Sequence, residues 1–373
     1  MKIFADRNIL AVEEKFRTFG ELHLFDGRRV TRDDLLDADA LLVRSITPVS
    51  ESLIGGTKIQ FVGTATSGVD HIDRSYLQKA GLGFADAKGS NANAVVDYCF
   101  AALAFAALHK GFTLPGSKVG IVGAGAVGGL FADKLERMGL EVRRCDPFLA
   151  EKATAERQYF SLEDTLSCEV VSLHVPLTRD GLYPTYAMLD FDQLSNLAPE
   201  AILINTCRGL VVDETALKTL LAKRKDIVTV FDVWADEPVV DPQLASAVDI
   251  ATPHIAGYSE EAKSNATRIL ADAFAEHFKL FPPVHEGSKS SGAKIEIEAA
   301  ADAHWKILLK AFPLARLSAQ FNASVKAGSS VAAFDSFRLD LIKRREYESI
   351  RLERDGYSPV QRQFLRVLGF RFD

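Results

Sequence analysis

The sequence predicts an α/β protein: two doubly wound parallel-sheet domains and a smaller α+β domain at the C-terminus. Three observations carry that expectation. Short apolar runs alternate with polar helical stretches in two successive blocks, the rhythm of parallel sheets covered on both faces. A glycine-rich turn joins a strand to a helix near the start of the second block. A long amphipathic stretch at 259–280 can return the chain to the first block, which makes the first domain discontinuous.

In the first block, residues 2–5, 40–43 and 60–63 read as strands, with helical stretches at 33–37 and 50–55. A mostly apolar helix over 91–110, closed by Gly111 and Pro115, carries the chain into the second block. There, strands are expected at 118–122, 141–145, 170–173, 201–205, 228–231 and 249–251, with a helix at 127–138. Residues 287–294 have linker composition, and a further strand is expected at 295–297. The expected domains are 1–92 with 257–286, then 93–256, then 287–373.

A chain of 373 residues exceeds one ordinary core, and 47% hydrophobic with 25% charged residues describes a folded, soluble protein. The net charge of −6 gives no basic field for nucleic acid. Cys99, Cys145, Cys168 and Cys207 form no C-x-x-C pair and no metal-ligand spacing, which suits a reducing compartment. No His/Cys/carboxylate cluster suggests a metal. Charge at Lys2, Asp6 and Arg7 interrupts any secretory apolar stretch, and the apolar run at 99–108 is too short to span a bilayer. A cytoplasmic protein without membrane or nucleic-acid partners is expected.

The glycine turn is Gly123-Ala124-Gly125-Ala126-Val127-Gly128, and an acid, Asp146, closes the next strand. In that context the three glycines permit a tight turn, close approach of a pyrophosphate and close helix–strand packing. The Ala126 and Val127 amides face the anion at the positive end of the helix. Asp146 would accept the ribose hydroxyls and repel a 2′-phosphate, so the expected cofactor is NAD, although Arg143 and Arg144 stand close by in sequence. This is the Rossmann-like arrangement.

Three polar residues then follow strand ends at one edge of the second sheet. Arg208 lies in Asn205-Thr206-Cys207-Arg208-Gly209, Glu237 in Ala235-Asp236-Glu237-Pro238, and His254 in Thr252-Pro253-His254. Ligands of open parallel sheets bind at that edge. A guanidinium can grip a carboxylate, a neutral imidazole can accept a hydroxyl proton, and a carboxylate can fix the imidazole tautomer. Hydride transfer at a hydroxy-acid carbon needs that set. His174 reads as packing on the cofactor side.

These residues resemble the D-isomer-specific 2-hydroxy-acid dehydrogenases from the glycine loop through Pro253-His254. Closer likeness to one branch, acting on a phosphorylated substrate, lies in Leu42-Val43-Arg44-Ser45-Ile46-Thr47, Phe61-Val62-Gly63-Thr64-Ala65-Thr66 and His254-Ile255-Ala256-Gly257-Tyr258-Ser259. In the tail it lies in Phe334-Asp335-Ser336-Phe337-Arg338 and Lys343-Arg344-Arg345-Glu346. The resemblance implies substrate contacts at Ser45, Thr66 and Tyr258. It implies cofactor contacts at Asp146, Val175, Thr206, Cys207, Arg208, Asp232 and Gly257, and a homodimer formed by the C-terminal domain. Val175 stands where that branch often has threonine, and Ser67-Gly68-Val69 departs from its Ile-Gly-Thr. Lys343, Arg344 and Arg345 then have two readings: a grip on a phosphate in the partner's site, or surface pairs with Glu346 and Glu348. Other readings of the whole are a sister dehydrogenase, such as one acting on 3-phosphoglycerate, and a non-enzymatic NAD-sensing corepressor of the same fold.

Overall fold

The computed structural model describes residues 1–152, 158–282, 293–295, 298 and 300–373. The chain forms two compact units, Met1–Asn91 with Glu260–Ser290, and Ala92–Ser259 with Ser291–Asp373.

The first unit holds five parallel strands: β1 Lys2–Asp6, β2 Glu21–Phe25, β3 Ala40–Val43, β4 Phe61–Thr64 and β5 Gly83–Asp86. Their order is β2-β1-β3-β4-β5. Residues of β3 and β4 alternate between two apolar layers, which is why both strands read as unbroken apolar runs. Leu42 and Phe61 pack with Leu270 and Phe274 of the returning Glu260–Phe278 helix. Leu41, Val43 and Val62 pack on the other face with Leu35, Ile54 and Leu77. The sequence shows no strand at β2 or β5 because both are sheet edges. Their residues are mostly half-buried, and polar residues such as Glu21, His23 and Asp86 interrupt the apolar pattern.

The second unit holds six parallel strands: β6 Lys118–Val122, β7 Glu141–Cys145, β8 Val170–Leu173, β9 Ile202–Asn205, β10 Val228–Phe231 and β11 Ile250–Ala251. The order β11-β10-β9-β8-β6-β7 repeats the winding of the first sheet, and direction reverses between β6 and β8. A crevice therefore opens at the carboxyl ends of those two strands. The Ala92–His109 helix is long and apolar enough to cross a membrane by length and composition, but most of it is buried in the core of this unit.

The tail completes that core. It contributes Ile307, Leu308, Phe312 and Tyr347 to the layer of Phe100, Phe131 and Ile202, and Phe321 and Phe334 to the opposite layer of Leu203 and Phe231. Its own sheet is parallel, with β12 Ala293–Lys294, β13 Ile350–Leu352 and β14 Arg371–Phe372 in sequence order. The strand expected at 295–297 pairs instead at Ala293–Lys294, while Glu296 and Ile297 lie outside the described residues. The linker expected at 287–294 also lies mostly outside them. Lys134, on the helix that opens at the glycine loop, is buried and donates from Nζ to the Leu368 carbonyl at 2.7 Å.

Arg344 corrects the expectation for the tail cations. Its side chain is 4% exposed, so it neither pairs on the surface nor projects toward a partner. Nε donates to the Tyr258 carbonyl at 2.8 Å, Nη2 to the Ala94 carbonyl at 3.3 Å, and Nη1 lies 3.5 Å from Asp97. The guanidinium stacks 4.3 Å from the Phe312 ring centre. Glu346 is buried too, and accepts from Ser259 Oγ at 2.6 Å. The motif is thus a clamp on the segment after His254. Lys343 is exposed and Arg345 half-buried.

Asp97 lies at the base of the clamp and also accepts from the Tyr347 amide at 2.9 Å. Burial pushes its carboxyl up to about 7, against the pull of Arg344. A carboxyl raised on folding stabilises most below its ordinary value and loses that contribution as pH rises toward about 7. The melting-temperature advantage of wild type over Asp97→Asn should therefore shrink between pH 4 and pH 8. Removing Arg344 by Arg344→Met, in contrast, leaves Asp97 buried without the guanidinium that faces it. Urea titration at pH 8 should show a loss of about 3–5 kcal/mol.

Candidate active site

The strand β6 turns at Gly123, whose φ is +87°. A Cβ there would lie 2.7 Å from the His174 carbonyl oxygen and 2.9 Å from Val175 Cγ1, so any side chain would push apart the two strand ends that frame the crevice. At Gly128 a Cβ would lie 2.0 Å from the Gly123 carbonyl oxygen, so the helix could not pack on the turn. Over Gly125, by contrast, a Cβ would meet nothing within 4 Å. The helix Ala126–Arg137 begins there without a side-chain cap, which leaves the Ala126 and Val127 amides for an anion.

Asp146 follows β7 and holds the loop from below. Its Oδ2 accepts from the Ala124 amide at 2.9 Å and its Oδ1 from the Leu149 amide at 3.1 Å. The neighbouring arginines are committed elsewhere. Arg144 is buried against Asp133 and Glu136, and Arg143 bonds Glu141 and the Asp164 carbonyl. Neither is placed to welcome a 2′-phosphate.

At the end of β8, His174 bonds Ser172 Oγ through Nε2 at 2.9 Å. Burial pushes its imidazole down to about 3, so it stays neutral and is no base. Val175 can offer a ligand only its backbone and its methyl groups. At the end of β9, the Thr206 hydroxyl is buried beside the Cys99 thiol. Cys207 Sγ bonds Asn205 Oδ1 at 3.1 Å, and burial pushes its thiol up to about 11, so it is no nucleophile. Arg208 follows, half-buried, with Nη1 donating to the Cys207 carbonyl at 2.7 Å. Gly209 lets this loop meet the next one, since a Cβ would overlap the Trp234 carbonyl.

Glu237 and His254 are in direct contact. Nδ1 of His254 lies 2.7 Å from Oε2 of Glu237, whose Oε1 accepts from the Trp234 amide at 3.0 Å. Burial pushes the Glu237 carboxyl up. His254, the Trp234 amide and Arg338 outweigh it and hold the carboxyl below its ordinary value. Glu237 is therefore ionised at neutral pH, and Nδ1 must carry the proton in this pair. That leaves Nε2 as the lone-pair nitrogen. His254 adopts φ +56°, a backbone state uncommon outside glycine. Asp232 enforces it: its carbonyl accepts from the His254 amide, and its fully buried carboxylate accepts from Thr252 Oγ1 and the Ile255 and Ala256 amides. The Asp232 side chain thus faces its own loop. Gly257 and Tyr258, both half-buried, come next.

In the first unit, Ser45 is exposed just past β3, beside Arg44, which donates to the buried Asp6 at 3.0 Å. Thr66 Oγ1 bonds Thr64 Oγ1 and the Gly68 carbonyl, both at 2.8 Å. The departure at Ser67 gains a tie: its hydroxyl bonds Asn91 at 2.8 Å and the Ala87 carbonyl at 3.1 Å.

Residues 103–256 match the family described as D-isomer specific 2-hydroxyacid dehydrogenase, NAD binding domain. Among curated proteins, the erythronate-4-phosphate dehydrogenase of Hahella chejuensis is 37% identical over 99% of both chains. That of Pseudomonas entomophila is 40% identical over 99% of this chain and 98% of the other. The chain belongs to the erythronate-4-phosphate dehydrogenase family. A solved structure, the NAD+-bound 3-phosphoglycerate dehydrogenase of Entamoeba histolytica, is 26% identical with a TM-score of 0.64, over 75% of this chain and 95% of that one. The second unit of this dehydrogenase is accordingly an NAD-binding domain. The open space over Gly125 and the uncapped helix fit a dinucleotide.

One residue at the site escaped the sequence reading. Arg338, from the tail helix Ser330–Leu341, comes within 3.9 Å of Glu237 Oε2. Its only sequence signal was its place in Phe334-Asp335-Ser336-Phe337-Arg338, which carries no chemistry by itself.

The placement of Asp146 generates a prediction. Asp146→Ala removes the tie to Ala124 and, if Asp146 accepts the ribose hydroxyls as expected from the sequence, a charged acceptor as well. Fluorescence titration should show NAD affinity falling about tenfold or more, with a smaller loss for NADP.

Proposed function

We propose that this chain oxidises 4-phospho-D-erythronate to (R)-3-hydroxy-2-oxo-4-phosphobutanoate with NAD, a step in the biosynthesis of pyridoxal 5′-phosphate. The observation that carries the mechanism is the 2.7 Å contact between His254 Nδ1 and Glu237 Oε2, which leaves Nε2 as the proton acceptor. His254 takes the proton of the 2-hydroxyl as the carbon is oxidised. Glu237 stabilises the imidazolium that results, and being ionised already it need not gain or lose a proton itself. Arg208 holds the substrate carboxylate and polarises the oxygen at C2. NAD supplies the nicotinamide carbon that takes the hydride. Asp146 and the glycine loop orient the dinucleotide, Thr206, Cys207 and Val175 line its path, and Gly257 gives it backbone contact. Ser45, Thr66 and Tyr258 are proposed as further substrate contacts.

The protein is placed in the cytoplasm, where its four free thiols suit a reducing medium. It is proposed to act as a homodimer through the tail. The exposed Val331 and Leu339 of the Ser330–Leu341 helix are apolar surface that a second subunit would cover.

NADH production on a panel of phosphorylated and unphosphorylated 2-hydroxy acids tests the substrate. Turnover should favour 4-phospho-D-erythronate over 3-phosphoglycerate, and preference for the latter would point to the sister activity. No turnover by a protein that binds NAD would favour a sensing role. His254→Ala should abolish nearly all turnover and leave NAD binding intact. Glu237→Gln should lower kcat and move the acid limb of kcat/KM to lower pH, because the anion that favours imidazolium is gone. Ending the chain after Glu286 should do more than give a monomer. It exposes the core around Phe100 and Phe231, and light scattering should show an aggregated or unfolded product.

A further inference from the structure

We propose that Arg338 is a positioning residue of the dehydrogenase site, whose guanidinium balances the carboxylates around His254 and so keeps the imidazole available to take a proton. This rests on the reading of His254 as the base. Arg338 belongs to the tail helix Ser330–Leu341 of the same chain, and it reaches the site in cis. Its Nη2 lies 3.9 Å from Oε2 of Glu237, the oxygen that also binds His254 Nδ1. One carboxylate oxygen thus stands between an imidazole and a guanidinium.

The placement is not explained by other bonds. Arg338 Nε is buried and has no hydrogen-bond partner. The guanidinium is held by aromatic faces instead, 5.1 Å from the ring centre of Phe334 on its own helix and 5.8 Å from that of Tyr258. With the side chain 20% exposed, its charge acts on Glu237 through a medium well short of bulk water. Burying an arginine with an orphan nitrogen costs stability, and the cation it brings to Glu237 is the evident return.

The charges around the imidazole show why a cation is needed. Glu237 binds it directly, and Asp232, from the end of β10, lies close enough for the two charges to interact. On the same loop, the Ala235 amide donates at 2.8 Å to Glu214, whose carboxyl burial raises, and Asp236 is exposed. Arg338 comes from the tail helix as the opposing cation. Carboxylates alone would favour imidazolium, and an imidazole that is already protonated cannot take the substrate's proton. Arg338 offsets that field while leaving the Glu237 hydrogen bond in place.

The test is the pH profile of kcat/KM in the oxidative direction for full-length wild type, Arg338→Gln, Arg338→Met and Arg338→Lys, with NAD affinity and melting temperature measured for each. Both neutral variants should move the acid limb up by roughly half to one pH unit. Lysine should restore most of it. Methionine keeps the packing on Phe334, so it decides the matter if the glutamine variant is unstable. An acid limb that stays put in a folded, NAD-binding neutral variant overturns the proposal. A rise in KM alone also overturns it, and would move Arg338 to direct substrate binding. Wild-type turnover of 4-phospho-D-erythronate and its loss in His254→Ala test the underlying reading separately.

Discussion

Asp232 has no exposed surface, and its carboxylate accepts the Ile255 and Ala256 amides and the Thr252 hydroxyl while its carbonyl accepts the His254 amide. Those four bonds hold the chain in its turn at His254, where φ is positive, a conformation uncommon outside glycine. The turn aims Nδ1 at Glu237 and frees Nε2. Burial raises the Asp232 carboxyl above its ordinary value, and the nearby His254 and the hydrogen bonds from Thr252, Ile255 and Ala256 oppose that shift without reversing it. The geometry of His254 therefore depends on a buried carboxyl group that holds the backbone on either side of it.

The tail secures the other end of the same loop. Arg344 holds the Tyr258 carbonyl and Glu346 holds the Ser259 hydroxyl, four and five residues past His254. Anchored at Asp232 before the histidine and at the clamp after it, the segment has little freedom to move. That arrangement explains why the tail packs into both layers of the NAD unit instead of standing apart from it.

Much of this was legible from residues alone. The strands β3, β6, β7, β8 and β10 read clearly because each is an interior or well-patterned strand, and the glycine turn carried its meaning through the strand before it and the acid after it. The Glu237–His254 contact was legible because both residues leave neighbouring strands at one edge. Edge strands such as β2 lacked an apolar run to read. Arg344 was misread because a cation in a run of charges looks solvated, and only the fold shows Asp97, 247 residues earlier, waiting for it. Arg338 was invisible for the same reason: its partner Glu237 is brought to it by packing, with no local pattern to announce it.

Lys134 gives the molecule one more property. It sits on the helix that opens at the glycine loop, and its ammonium donates to the carbonyl that ends the last helix of the tail. That single bond ties the helix at the glycine loop to the last helix of the chain, so a ligand that binds only the folded form of the loop stabilises both against unfolding.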